Sequence, residues 1–210
     1  MTKLAVVAGG DLELLPTAYD GYIGVDAGCL ALLDNGLPLD IAVGDFDSIS
    51  KEELARVQAQ ARLVIQAPAE KDDTDLELAL KEVFQRYPEA QVTIYGAFGG
   101  RLDHMMANLF LASEPALAPF MRQIELVDKL NLVRFYPAGQ HRLFPQKDMT
   151  YVSFMPEGGG RLSIWGAKYP LDEAHYFLKK CYASNEFIDR EMNIGLDKGY
   201  VIVIYSKDRR

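Results

Sequence analysis

The stretch IAVGDFDSIS, residues 41–50, reads as a strand buried on both faces that opens at once into an acidic turn. Ile41, Ala42 and Val43 form a short unbroken apolar run that stops at Gly44. A run of that length without polar alternation belongs inside a parallel sheet rather than in a half-solvated antiparallel one. Asp45 and Asp47 follow, bracketing Phe46. In open α/β sheets the crevice outside the carboxyl ends of the strands is where ligands bind. A strand ending in two carboxylates therefore puts negative charge where a cation is to be met.

The same texture extends in both directions. Apolar runs at 4–8, 22–25, 63–66, 92–95 and 124–127 alternate with amphipathic stretches at 29–35, 51–60, 75–87 and 102–113, which predicts strands joined by crossover helices. In 75–87, Leu76, Ala79, Leu80, Val83 and Phe84 recur at helical spacing and predict one buried stripe. Leu102, Met105, Met106, Leu109 and Phe110 predict another. Beyond about residue 130 the texture changes. MTYVSFMPEGGGRLSIWG (149–166) and GYVIVIYSKD (199–208) are strand-rich, whereas LDEAHYFLKKCY (171–182) passes for a helix without a decisive period. The expected fold class is α/β: an N-terminal open, mostly parallel sheet with flanking helices over 1–128, and a second, mostly β domain over 131–210.

The formal net charge of -8 argues against a nucleic acid or an anionic membrane as partner, since either needs a basic face. It leaves an anionic substrate open, because a bound cation reverses the local sign. The two cysteines, Cys29 and Cys181, form no CxxC pair and fit a reducing compartment. The opening MTKLAVVAGGDLELLP has an apolar run of strand length followed by acids, expected to be neither signal peptide nor spanning helix. The expected location is the cytoplasm.

Three further segments carry chemistry. Asp45 and Asp47 suit Mg²⁺, which takes one or two carboxylates along with phosphate oxygens; the plain reading is a solvated turn in which Asp47 caps a helix near Ser50. In EKDDTDLEL (70–78), Thr74 and Glu77 form a capping box, and acids there gain from the helix dipole. Asp72, Asp73 and Asp75 nevertheless exceed what a cap requires. The cluster follows another strand, so it is expected at the same sheet edge, where two acid clusters repel unless a cation neutralises them. In YGAFGGRLDHMMANLFLA (95–112), a turn with Gly96, Gly99 and Gly100 opens a helix, an anion cradle to which Arg101 adds a forked phosphate donor. Arg101, His104 and Asn108 share a face apart from the apolar stripe; an ordinary connection and a structural histidine explain the segment as well. Asp26 in GVDAGC (24–29) is another acid at a strand end, equally accounted for by turn chemistry. No G-x-x-x-x-G-K-[ST] run is present, which excludes a Walker-type phosphate loop.

In order and spacing, VDAG, GDFDSI, KDDTDLELAL and GGRLDHMMANL, followed by GAKYPL and SNEF in the tail, resemble the thiamine pyrophosphokinase family over nearly the whole chain. Each block is weak alone; together they are specific. The resemblance implies transfer of pyrophosphate from ATP to the hydroxyethyl oxygen of thiamine, giving thiamine diphosphate and AMP. It implies an ATP-binding catalytic domain, a C-terminal all-β sandwich that binds thiamine, Mg²⁺ as cofactor with ATP as co-substrate, and a homodimer with active sites between subunits. It places Asp45, Asp47, Asp72 and Asp75 on the acids of the Mg-ATP site and Asp26 on an acid of the same cleft. Thr74, Arg101 and Asp103 fall near the nucleotide or the reacting oxygen, and Ser184 and Asn185 near the thiamine pocket; Asp73 stands where the family varies. The expected catalytic set is Asp45, Asp47, Asp72, Asp75 and Arg101, the four acids also being metal ligands, with Asp75 the candidate proton acceptor. Asp26, Thr74, Asp103, His104, Asn108, Ser184 and Asn185 are the expected substrate contacts. Trp165, Tyr169 and Phe187 are candidate thiamine-facing aromatics, with sandwich core as their plain reading. Two rivals are a metal-dependent phosphatase with a D-x-D nucleophile, whose downstream Lys and paired acids are not evident, and a non-catalytic nucleotide sensor, which has no need of four clustered carboxylates.

Overall fold

Apolar runs too short for helices become β1 (Lys3–Val7), β2 (Gly21–Val25), β3 (Ile41–Gly44), β4 (Leu63–Gln66), β5 (Gln91–Tyr95) and β6 (Ile124–Val127). They lie in the order β6-β5-β1-β2-β3-β4, every pairing parallel. The chain thus walks outward from β1 to β4, then returns to the other side of β1. All strand ends that carry acids or glycine turns consequently open on one edge. A computed structural model describes residues 1–14, 16–68, 72–172 and 179–209, and the chain divides into two units, Met1–Asp128 and Lys129–Arg210.

The crossovers of the first unit are α1 (Gly28–Asp34), α2 (Lys51–Gln60), α3 (Asp75–Arg86) and α4 (Leu102–Leu109). Helices α2 and α3 each start on a capping box, Ser50 with Glu53 and Thr74 with Glu77, which satisfies amide donors that a helix start leaves open. The predicted stripe of α3 is buried in full: Leu76, Ala79, Leu80, Val83 and Phe84. The α4 stripe is not. This helix buries no residue, and Leu102 and Met106 are 67% and 37% exposed. It also stops at Leu109, short of the expected 113, and a 3-10 turn at Leu111–Ser113 follows. Pro115 forces the residue before it out of the helical region, and Glu114 is extended there (φ -69, ψ 123). The side chains that do reach the core are Leu111 and Ala112, on that turn.

The second unit is built from β7 (Asn131–Leu143), β8 (Tyr151–Glu157), β9 (Leu162–Trp165), β10 (Tyr182–Asn185) and β11 (Met192–Ser206), with no helix among the described residues. Its pairings are all antiparallel. β11 pairs with β7 along nearly its whole length, with a register shift between Leu196 and Tyr200. Before the shift β11 also carries β9, and after it β8, to which β10 is added. Two long strands therefore serve both halves of an all-β fold. Half of the ambiguous 171–182 segment, 173–178, lies outside the described residues, and its last residue, Tyr182, opens β10. Among the described residues no helix is long and apolar enough to cross a membrane.

Candidate active site

The acid turn after β3 is held by the aromatic between its acids. Phe46 is 3% exposed and sits in a core cluster with Val7, Tyr22, Cys29, Leu32 and Val57. Its backbone is left-handed (φ 59), as is that of Asp26 after β2 (φ 47). A non-glycine residue there costs on the order of 1 kcal/mol or more, a strain that concentrates at functional sites. Three contacts knit the turns together. The Asp26 N–H donates to Val43 O at 3.0 Å, the Phe46 N–H to Asp26 Oδ1 at 3.3 Å, and the Asp47 N–H to Asp45 Oδ1 at 3.0 Å. Gly44 is required by close approach: a Cβ at that position would stand 1.9 Å from Asp26 Oδ1.

Asp75 arrives from the third direction, as the first residue of α3 behind its Thr74 cap. Oxygens of Asp26, Asp45 and Asp75 all lie within 4.8 Å of one another. Burial, then the charge of Asp75, pushes the Asp26 carboxyl up to about 6; Asp45 and Asp47 add to this, and the Phe46 N–H opposes it. Three hard oxygen donors converging from three segments, where burial and mutual repulsion disfavour the charge of one of them, are the donor set that suits Mg²⁺. Beneath them the buried Cys29 thiol is pushed up to about 12 by burial and by Asp26, so it is no nucleophile.

The remaining candidates take different places. Asp47 and Asp72 are exposed, outside the triad of oxygens, although Asp47 adds to the field on Asp26. The Thr74 hydroxyl accepts the Glu77 N–H at 3.2 Å as a cap. Arg101 forks onto Asp103, Nε to Oδ1 at 3.1 Å and Nη2 to Oδ2 at 2.6 Å. That contact holds the exposed Asp103 carboxyl down at about 2, and the His104 N–H also donates to it. Asn108 Nδ2 donates to Ala97 O at 2.7 Å and stitches α4 to the turn after β5. Sequence reading passed over two roles. Asp26 belongs to the carboxylate triad itself, because only the folded turn shows how close it lies to Gly44. Asp11, after β1, packs its carboxylate on Gly99, while Gly10 and Asp11 donate to Gly96 O and Phe98 O, both at 2.9 Å. The signal was in AGGD, a strand-end acid like the one in GVDAG.

In the second unit, Asn185 is 3% exposed and clamps the backbone of Tyr169. Its Oδ1 accepts from Tyr169 N at 3.0 Å and Glu186 N at 2.9 Å, and its Nδ2 donates to Tyr169 O at 2.7 Å. Ser184 is left-handed (φ 58), and its N–H donates to Ser153 Oγ at 3.1 Å. Of the three aromatic candidates, Tyr169 and Trp165 are 56% and 48% exposed. Phe187 instead stacks on Tyr205, with centroids 6.4 Å apart.

The sequence matches the family described as "Thiamin pyrophosphokinase, catalytic domain" over residues 12–124, and that described as "Thiamin pyrophosphokinase, vitamin B1 binding domain" over residues 140–201. It is 36% identical to the thiamine pyrophosphokinase of Bacillus subtilis (strain 168) over 217 residues, which cover 99% of this chain and 100% of that protein. The crystal structure of a thiamin pyrophosphokinase family protein from Enterococcus faecalis superimposes with a TM-score of 0.93 at 43% identity, covering 99% of this chain and 100% of that one. Yeast thiamin pyrophosphokinase shares the fold at 12% identity, with a TM-score of 0.75 over 98% of this chain and 86% of that one.

Proposed function

The chain belongs to the thiamin pyrophosphokinase family, and we infer that it transfers the pyrophosphoryl group of ATP to the hydroxyethyl oxygen of thiamine, giving thiamine diphosphate and AMP. The observation that carries this reading onto particular residues is the meeting of Asp26, Asp45 and Asp75 at the strand ends of the unit matched as catalytic. Neither the phosphatase nor the sensor reading is favoured by these relatives.

Mg²⁺ is the ion assigned to the triad: Asp26, Asp45 and Asp75 would hold it, with Asp47 and Asp72 on the adjoining turns. When bound, it supplies charge neutralisation at the phosphate oxygens. The protein's own part is placement. The thiamine oxygen attacks the β-phosphorus in line, the bond to the α-phosphate oxygen breaks, and AMP leaves with that oxygen. The hydroxyl proton passes to a carboxylate, for which Asp75 is the candidate. Arg101 spends two of its five N–H donors on Asp103, leaving three on an exposed guanidinium for phosphate.

Thiamine is assigned to the second unit, where the exposed Tyr169 and Trp165 offer faces for a flat aminopyrimidine and a cationic thiazolium. The active species is a cytoplasmic homodimer with sites shared between subunits; the exposed Leu102 and Met106 on α4 support a face that a partner covers. The test is incubation with Mg-ATP and thiamine. Equimolar AMP and thiamine diphosphate are expected, whereas inorganic phosphate with a trapped phospho-aspartate would replace this reading with the phosphatase one.

A further inference from the structure

The acid run at 72–75 contains a carboxylate that stands outside the triad and has a cation of its own. Lys81, on the face of α3 below the run, places Nζ 2.9 Å from both oxygens of Asp73 and 3.3 Å from Glu114 Oε1. The other oxygen of Glu114 is itself fixed, accepting Ala116 N at 2.7 Å and Leu117 N at 3.0 Å. The three side chains are 26%, 36% and 21% exposed, so water screens the bridge only in part. The result ties the loop before α3 to α3 itself and to the C-terminal end of the 3-10 turn that follows α4.

The position of that loop matters because Asp75 stands two residues beyond Asp73. Its oxygen is held within 4.8 Å of two other carboxylates, and repulsion favours swinging the loop outward. The Thr74 capping box sets where α3 begins, but it is internal to the helix start and cannot anchor the loop sideways. Glu114 can, since it is fixed elsewhere. We propose that Lys81 is a positioning residue for the cation site, joining Asp73 to Glu114 so that the 72–75 segment stays facing Asp26 and Asp45, and cancelling the charge of Asp73 beside an already overcharged cleft. This rests on the reading of the triad as the Mg-ATP site. An ordinary exposed ion pair would affect little beyond stability; a positioning bridge must alter cation affinity.

The experiment compares wild type with Lys81→Met, which keeps the apolar stem, Lys81→Arg, which keeps the charge, and Asp73→Asn, which cuts the bridge at the loop. Free Mn²⁺ is followed by electron paramagnetic resonance without substrates, and the Mg²⁺ needed for half-maximal AMP formation is measured at saturating ATP. Lys81→Met and Asp73→Asn should weaken Mn²⁺ binding and raise the Mg²⁺ requirement roughly tenfold, with the KM for thiamine changed by no more than about twofold. Lys81→Arg should restore most of the loss. Wild-type Mn²⁺ affinity in Lys81→Met or, should that variant not fold, in Asp73→Asn would overturn the proposal, and so would absence of Mn²⁺ binding by wild type. If wild type binds Mn²⁺ yet makes no AMP, the pyrophosphokinase reading fails, while the resonance measurement still judges Lys81.

Discussion

At Asp26 two unfavourable effects are superposed: burial of a carboxylate, and repulsion from Asp75, Asp45 and Asp47. Its pKa rises from 3.8 to about 6 in the folded protein. Between those values the native chain binds a proton that the unfolded chain has lost, so this group's contribution to stability falls as pH rises through that window. For a half-buried group the loss is on the order of 1 kcal/mol once solvent screening is allowed for. In chelator, the melting temperature of wild type relative to Asp26→Asn should therefore decline from pH 4 to 6.5, and excess Mg²⁺ should offset the decline at the upper end. Parallel curves would show that the triad is electrostatically uncoupled. Asp45→Asn should remain folded, since it removes a repelling charge, yet lose about 100-fold or more in turnover; near-normal activity at saturating Mg²⁺ would dismiss the metal assignment. Asn185→Ala strands the Tyr169 N–H and C=O and should cost about 1–3 kcal/mol, raising the KM for thiamine and not that for ATP. Asp45 was legible as an acid of a cluster because a strand end and an unusual charge density coincide in ten residues; Asp47, read with it, lies exposed outside the triad of oxygens. Asp26 was placed in the cleft only by the family resemblance, because a lone acid at a turn looks the same whether or not two others fold against it. Asn185 was legible as belonging to a motif, but its bonds to Tyr169 run across sixteen residues and no local pattern encodes them.

The helices show where periodicity informs and where it stops. Both capping signals of α3 and its five-residue stripe are local facts, and the structure contains them as read. Thr74→Ala should cost about 1 kcal/mol, and a proportionate loss of Mg²⁺ affinity is expected because Asp75 is the next residue. An unchanged Mg²⁺ requirement would separate the cap from the site. In α4 the same kind of pattern misleads in one respect. Periodicity tells which face of a helix is apolar, but not what covers it, and the core contact moves to Leu111 and Ala112 on the 3-10 turn beyond the end of α4. The exposed stripe predicts that Leu102→Glu with Met106→Glu changes the stability of the isolated subunit by no more than about 0.5 kcal/mol, while light scattering shows the proposed dimer giving way to monomer. A dimer of unchanged strength would place the interface elsewhere.

Across the whole molecule, the change of texture near residue 130 coincides with the end of the alternating strand–helix pattern, and the strand-rich segments beyond it pair antiparallel with one another in the second unit. What sequence could not supply was the pairing itself: β7 and β11 join residues 131–143 to 192–206, a long-range choice that neither strand specifies alone. A fragment of residues 1–128, if it folds, should bind Mg-ATP and fail to bind thiamine in calorimetry; thiamine binding by that fragment would remove the second unit's assigned role. The same pairing orders events during synthesis. By residue 127 all six parallel strands of the first unit have been made, whereas the long antiparallel pairings of β7 and β8, and that of β9, must wait for β11, the last strand. A ribosome that stalls before residue 192 would therefore display a finished first unit trailing a ribbon of open strand edges, the species that chaperones must shield from its neighbours on the same polysome.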